Sequence, residues 1–395
     1  KARASTSASL ARGLLLGRPA RKAHRMAPVG TEEVRHPRLT SPLGNALQVS
    51  CALLFASYFF FPPAMCLLLA AVSPLGLNLF GGRACLATAV AYLLQLIFYK
   101  PHLGRGWWRP LLYSSFGDYA AHYYDSTCVR EGPKLDPNGQ YMFAMYPHGV
   151  YGVCRVFTSG LRLWCKLFPG ITLRWGSFGA AFMVPGVREF SLAAGCLDAG
   201  RDTLSRAAKR GENIALLPGG IDEMSLTDGT STDTKLVMVD RKGYARLAIE
   251  NGMDIVPGFC FGEKWIHRTV QLPPVIRKFL RRFRMSGTLL KGRGPTFLGF
   301  LGVPLGFVWG EPIRVKKPYP VAPASVQAAY VDEKAKHRGD AKQHMPVDPA
   351  YVDEVHAHVE AAVRDIFDRY KERFGYSPEE TLTMVAAAKK TKKGQ

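Results

Sequence analysis

Between residues 39 and 82 this chain carries no charged side chain, and after Arg83 the stretch 84–99 is again uncharged. No other feature restricts its architecture as much. The first stretch holds an apolar run at 46–72, broken by Pro62-Pro63, and the second holds one at 84–98. A helix needs about 20 apolar residues to cross a bilayer core, so the first run is long enough and the second is on the short side. Buried helices of a water-soluble domain normally keep a polar stripe, and neither run has one. The pair therefore reads as a membrane hairpin, either dipping into one leaflet or crossing twice. Arg35 and Arg38 precede it, Lys100, Arg105 and Arg109 follow it, and only Arg83 lies between. That asymmetry favours both ends in the cytosol, with Trp107 and Trp108 at the headgroup layer.

The formal net charge of +21 is concentrated in three places. Residues 1–42 hold nine Lys and Arg against Glu32 and Glu33, residues 264–293 hold nine and no acid, and Lys389, Lys390, Lys392 and Lys393 lie near the C-terminus. Localised basic charge implies an anionic partner: nucleic acid, acidic lipid or a polyphosphate ligand. Nucleic acid fits the charge but not the apolar runs or the shortage of aromatics among the basic residues. Within 275–284, Phe279, Leu280 and Phe283 alternate with Arg277, Lys278, Arg281, Arg282 and Arg284, as in an interfacial helix on acidic lipid. Residues 1–25 contain no acid and resemble a transit peptide, while Met26 opens a second, more ordinary beginning, so this stretch is left out of the fold reading. The eight cysteines (51, 66, 85, 128, 154, 165, 196, 260) show no C-x-x-C and no paired spacing. They read as reduced filler, with no disulfide frame and no metal site.

Beyond Lys100, short apolar runs alternate with helical stretches. Strands are expected at 141–146, 171–175, 213–217, 235–239 and 254–259, with helices near 193–210 and 240–250. The alternation predicts an α/β fold, a sheet flanked by helices. A last helix is marked by Val352, Val355, Val359, Val363, Ile366, Phe367, Tyr370 and Phe374 at three- and four-residue steps, with Gly375 as its stop. His356 and His358 are too close in sequence to share a face of it, so they are not read as ligands. The segment 331–348 is polar and loop-like. The division is then a disordered basic tail at 1–42, the hairpin at 43–99, a folded domain at 100–385 and a basic tail at 386–395.

Chemistry gathers at the strand ends. Pro147 cannot continue a central strand and Gly149 permits a sharp turn, so Tyr146-Pro147-His148-Gly149 places His148 at the mouth of the sheet. A neutral imidazole there accepts a proton near pH 7. The run at 213–217 leads into Pro218-Gly219-Gly220-Ile221-Asp222-Glu223, where the glycines let backbone N–H groups approach a ligand and Glu223 follows closely. Arg241-Lys242-Gly243-Tyr244 opens a helix that Asp240 is placed to cap. Two cations there oppose the helix dipole, so they either hold an anion or form a solvated helix end. A serine-hydrolase elbow is missing: Gly176-Ser177-Phe178-Gly179 has the wrong spacing.

In this order and spacing the chain resembles the diacylglycerol acyltransferase type 2 family, which includes monoacylglycerol and wax-alcohol acyltransferases. The likeness runs from about Gly117 to Gly375 with the preceding hairpin. It rests on Tyr146-Pro147-His148-Gly149, on Pro218-Gly219-Gly220 with Glu223, and on Arg241-Lys242-Gly243-Tyr244-Ala245-Arg246-Leu247-Ala248 continuing to Val256-Pro257 and Phe261-Gly262-Glu263. Trp309-Gly310-Glu311-Pro312-Ile313 and Val352-Asp353 with His356 match the C-terminal blocks. The family pattern is His-Pro-His-Gly, so Tyr146 departs from it and only His148 remains as base. Related glycerolipid acyltransferases carry an aspartate five residues after the histidine. Val153 stands there, so no carboxylate at that spacing orients the imidazole, and the resemblance implies Glu223 in that role.

The resemblance implies a glycerolipid-acyltransferase-like sheet behind the membrane hairpin, with 100–385 as the acyltransferase domain. It implies transfer from acyl-CoA to diacylglycerol, making triacylglycerol, with monoacylglycerol or a wax alcohol as other acceptors. A non-catalytic lipid-binding membrane protein is the rival. His148 would act as base, Gly149, Gly219 and Gly220 would hold the oxyanion through their N–H groups, and Arg241 and Lys242 would bind the CoA phosphates. Neither metal nor cofactor is expected. The partners are acyl-CoA, diacylglycerol and membrane lipids, with a homo-oligomer left open. The expected location is the endoplasmic reticulum membrane with the active domain facing the cytosol, or the lipid droplet, and Lys392-Lys393-Gly394-Gln395 resembles a dilysine retrieval signal.

Overall fold

The computed structural model describes residues 28–57, 82–106, 115–149, 164–184, 186–273, 288–291, 301–324 and 346–387, with isolated positions between them. In chain order its strands are β1 (Glu32–Arg35), β2 (Thr127–Arg130), β3 (Tyr141–Tyr146), β4 (Leu173–Ser177), β5 (Leu197–Asp198), β6 (Asn213–Leu216), β7 (Asp233–Val237), β8 (Asp254–Phe261), β9 (Arg268–Gln271), β10 (Thr288–Lys291), β11 (Gly306–Trp309) and β12 (Thr381–Val385). The α-helices are α1 (Pro42–Ser57), α2 (Gly82–Phe98), α3 (Ser115–Tyr123), α4 (Trp164–Leu167), α5 (Val187–Ala193), α6 (Arg201–Lys209), α7 (Gly220–Met224), α8 (Gly243–Glu250) and α9 (Pro349–Tyr370). Among the described residues the main sheet has eight strands in the order β1-β2-β11-β8-β3-β6-β4-β5, while β9 pairs with β10 and β7 with β12. From β8 to β5 the strands run parallel, and β11 turns the direction against β8. This is the expected α/β architecture.

Strand β3 shows why the fold is layered. All six of its residues are buried, as parallel strands covered on both faces require. Because side chains alternate across a strand, Tyr141, Phe143 and Met145 join a core with Trp164, Trp175 and Trp309, whereas Met142, Ala144 and Tyr146 join a second core under α8 and α9. The central strand is thus fixed from both sides, and its carboxyl end is a rigid platform. In α9 the apolar positions Val352, Val355, Val359, Val363, Ile366, Phe367 and Tyr370 are all buried, as their spacing predicts. The helix ends at Tyr370, earlier than Phe374, and Gly375 follows in the left-handed region at φ 83°. His356 lies in the buried face and His358 in the exposed one.

Several expectations change. The helix at 193–210 is two elements: α5 stops at Ala193, Gly195 turns the chain at φ 81°, and β5 intervenes before α6. The helix at 240–250 begins at Gly243 with Lys242 as its N-cap. The Asp240 carboxylate instead accepts from the Ala387 amide at 2.8 Å. Residues 32–35, placed in the disordered tail, form β1 and pair antiparallel with β2. The buried Arg130 explains this, since it bonds Glu32 at 3.0 Å and joins a charged edge strand to the sheet.

The apolar runs are helical in α1 and α2. Among the described residues no helix is long and apolar enough to cross a membrane. Residues 58–81 lie outside the described residues, as do most of 275–284 and 331–348. Helix α2 is tied to the domain by Tyr92, whose hydroxyl donates to Glu189 at 2.7 Å, and it leaves Val90, Leu93, Leu94, Ile97 and Phe98 exposed.

A buried ion pair anchors the C-terminal strand. Lys264 meets Glu380, donates to the Ser231 carbonyl at 2.9 Å and lies 4.7 Å from the Tyr376 ring, while Thr234 donates to Glu380 at 2.9 Å. Lys264, counted with the basic residues of 264–293 that imply an anionic partner, is therefore neutralised inside the domain and is not available to such a partner. Removing one member of a buried pair strands the other charge. Lys264→Met is expected to cost about 3–5 kcal/mol in chemical denaturation. The double variant Lys264→Met/Glu380→Gln should recover much of that loss, and equal losses in both variants would show that packing, not charge, dominates.

Candidate active site

The chain leaves β3 toward β4 on one side, and leaves β6, by way of β7, toward β8 on the other side of β3. Open α/β sheets bind ligands where connections part in this way, outside the carboxyl ends of the strands. The turns after β3 and β6 meet at this place, and they carry His148 and the Gly219-Gly220 pair.

Pro147 ends β3, and Gly149 turns the chain at φ 60°. His148 between them is half-buried. Its main-chain N–H donates to Glu223 Oε2 at 2.5 Å. Its Nδ1 lies 3.0 Å from the Gly149 carbonyl oxygen. A carbonyl only accepts, so Nδ1 carries the proton in this bond and the basic lone pair is on Nε2. Tyr146, at the position where the family pattern has histidine, packs in the core under α8 and α9, and burial raises its phenol well above the ordinary range.

Glu223 is buried on the short helix α7, and its two oxygens divide the work. Oε2 accepts from His148 N, and Oε1 accepts from Val237 N at 2.9 Å, joining the His148 turn to the end of β7. Burial pushes this carboxyl up to about 7, against the two N–H groups and the Arg241 charge, which pull it down. Glu223 was expected to orient the ring; its contact is with the His148 amide, and the Gly149 carbonyl takes the ring N–H. A side chain on Gly219 would overlap the Glu223 carboxylate, so only glycine fits there. Gly220 is glycine for another reason, its left-handed φ of 60°. The Gly220 N–H donates to the Leu217 carbonyl at 3.2 Å, so this amide already serves the turn.

Arg241 and Lys242 sit together just before α8. Arg241 pairs with Asp222 on α7, and Lys242 with Asp353 on α9 at 2.8 Å. Both cations stay more than a third exposed. Tyr244 and His356 add a buried bond at 3.1 Å between the same two helices. Among the described residues no three His, Cys, Asp or Glu side chains converge as a metal site needs.

Sequence reasoning gave no role to Glu263. Strands β3 and β8 are parallel neighbours with Tyr146 opposite Phe259, so the turns that follow them lie side by side. Glu263 is buried in the turn after β8, and its side chain packs where a Cβ on Gly149 would stand. The signal was the Phe261-Gly262-Glu263 run itself, a strand ending in glycine and an acid.

A family model described as "Diacylglycerol acyltransferase" matches residues 83–350, which include both glycine turns, Glu223, Arg241, Lys242 and Glu263. "Diacylglycerol O-acyltransferase 2-like protein 6" of Bos taurus is 26% identical over 274 residues, covering 64% of this chain and 72% of that protein. "Diacylglycerol O-acyltransferase 1" of Eremothecium gossypii is 28% identical over 261 residues, covering 64% and 52%. "Diacylglycerol O-acyltransferase 2" of Mus musculus is 29% identical over 195 residues, covering 45% and 49%. The chain thus spans about half the length of the last two relatives. A solved 1-acyl-sn-glycerophosphate acyltransferase from Thermotoga maritima aligns at TM-score 0.33 and 12% identity over 74% of this chain and 94% of that one, a likeness too weak to carry an argument. The family model covers well over half of the sequence, and this chain belongs to the diacylglycerol acyltransferase family.

Proposed function

We propose that this chain is an acyl-CoA-dependent O-acyltransferase that esterifies diacylglycerol to triacylglycerol. The observation that carries the reading is the His148 ring, held through Nδ1 so that a basic Nε2 is presented at the switch point of the sheet. A thioester is already activated, so the protein has to deprotonate an alcohol and hold an oxyanion. Nε2 takes the hydroxyl proton as the alcohol oxygen attacks the thioester carbonyl. The N–H groups of Gly149 and Gly219 stabilise the tetrahedral oxyanion, worth roughly 3–4 kcal/mol where aligned. Collapse of the intermediate breaks the carbon–sulfur bond, and the CoA thiolate leaves with the proton returned from the imidazolium.

Arg241 and Lys242 would receive the CoA phosphates. Their carboxylate partners, Asp222 and Asp353, are partly exposed and would give way to the more highly charged phosphates. The exposed apolar side chains of α2 support a membrane setting, in which α1 and α2 are the arms of the hairpin and the lipid acceptor arrives from the bilayer. The proposed location is the endoplasmic reticulum membrane, with the domain in the cytosol.

The test is an acceptor panel in membranes from cells that cannot make triacylglycerol, using one labelled acyl-CoA. Diacylglycerol is expected to yield labelled triacylglycerol with stoichiometric CoA release. Preference for monoacylglycerol or a long-chain alcohol would move the acceptor within the same chemistry. Lipid binding without turnover on any acceptor would overturn the reading.

A further inference from the structure

We propose that Glu263 is a positioning residue for His148, acting through Gly149, and this rests on the acyl-transfer reading above. The His148 ring engages its own neighbour, the Gly149 carbonyl, through Nδ1 at 3.0 Å. Whatever fixes Gly149 therefore bears directly on the ring. Gly149 is left-handed, a conformation in which glycine is free to drift, so the turn needs support from outside.

Glu263 supplies it from the β8 side. Its Cγ and Oε1 occupy the space beside the Gly149 Cα that a Cβ would fill, and the residue is 3% exposed. Its own position is tightly determined. Gly262, left-handed at φ 86°, donates its N–H to the Tyr376 hydroxyl at 3.0 Å, and a 3-10 turn begins at Glu263 and runs to Trp265. On the far side of the carboxylate, Cys260 Sγ lies 3.5 Å from Oε2. The His148-Gly149 turn is thus gripped by two buried acids from opposite sides: Glu223 holds the His148 amide, and Glu263 backs the Gly149 Cα. Groups held this way by packing and by a second layer of contacts keep their geometry within the tolerance that proton transfer requires.

The experiment combines kinetics with the reactivity of the ring itself. Purified full-length protein is assayed for kcat and KM. In parallel, diethyl pyrocarbonate modification of His148 is followed by mass spectrometry as a function of pH. Glu263→Ala is expected to lower kcat about 10- to 100-fold with KM for acyl-CoA changed less than threefold, and to alter the pH profile of His148 modification. Glu263→Gln, which keeps the shape, should restore most of kcat and the wild-type profile. If Glu263→Ala fails to fold, Glu263→Asp, which shortens the contact by one methylene, carries the same expectation. Wild-type kcat together with an unchanged His148 profile in a folded variant overturns the proposal. An altered profile in a protein that transfers no acyl group would instead uphold the positioning and overturn the acyl-transfer reading.

Discussion

His148→Ala is expected to lower the rate of acyl transfer by about 10²–10⁴-fold, the usual contribution of a positioned general base. The fold should survive. The ring is only half-buried, and the bond from the main-chain N–H of this residue to Glu223 is one that alanine retains. Thermal unfolding and membrane association of the variant are accordingly expected to match the wild type. KM for acyl-CoA should change little, because the proposed phosphate ligands Arg241 and Lys242 are on a different turn. His148→Gln separates two explanations, since it keeps polarity and approximate length but is not basic near pH 7. Loss of activity in both variants identifies proton transfer as the missing step. Turnover within tenfold of wild type in either would remove the imidazole from the mechanism.

What the sequence revealed follows a simple division between local and distant causes. The run at 141–146 and the proline after it are local, and so are the glycines of the second turn, so the strand ends that frame the site were legible. The periodicity of α9 was legible for the same reason. Edge strand β1 was not, because Glu-Glu-Val-Arg has no apolar alternation and is held to the sheet by distant partners, among them Arg130, almost a hundred residues away. The roles of charged residues were hidden in the same way. Nothing near Lys242 announces Asp353, and nothing near Lys264 announces Glu380. Glu223 follows the two glycines closely and was assigned to His148 through the family resemblance, yet whether it would grip the ring or the amide of His148 depends on how β3 and β6 are set in the sheet. Glu263 became visible only when the parallel register of β3 and β8 put two turns next to each other. The motif blocks around Arg241 and Asp353, separate in sequence, turn out to be one unit, joined by the Lys242–Asp353 and Tyr244–His356 contacts.

The other large effect belongs to Glu223. Both of its oxygens accept a backbone N–H, one from His148 and one from Val237. In Glu223→Gln one oxygen becomes an NH₂ that faces a donor, leaving a buried N–H unsatisfied at a cost of about 1–3 kcal/mol. The loss should fall partly on catalysis, because one of the two amides belongs to His148, and a 10- to 100-fold drop in kcat is expected. The pH dependence gives an independent check. Burial raises this carboxyl from an ordinary 4.5 to about 7, so between those values the folded chain keeps a proton that the unfolded chain has released. Stability from this group is complete below the lower value and is lost as pH rises through the upper one, up to about 3 kcal/mol in all. Glutamine does not titrate. The stability advantage of wild type over Glu223→Gln, measured by denaturant unfolding, should therefore be largest near pH 5 and shrink steadily toward pH 8. A gap that stays constant across that range would mean that Glu223 ionises as an ordinary exposed carboxylate does. The tension between its burial and its two N–H donors would then be resolved in favour of the donors.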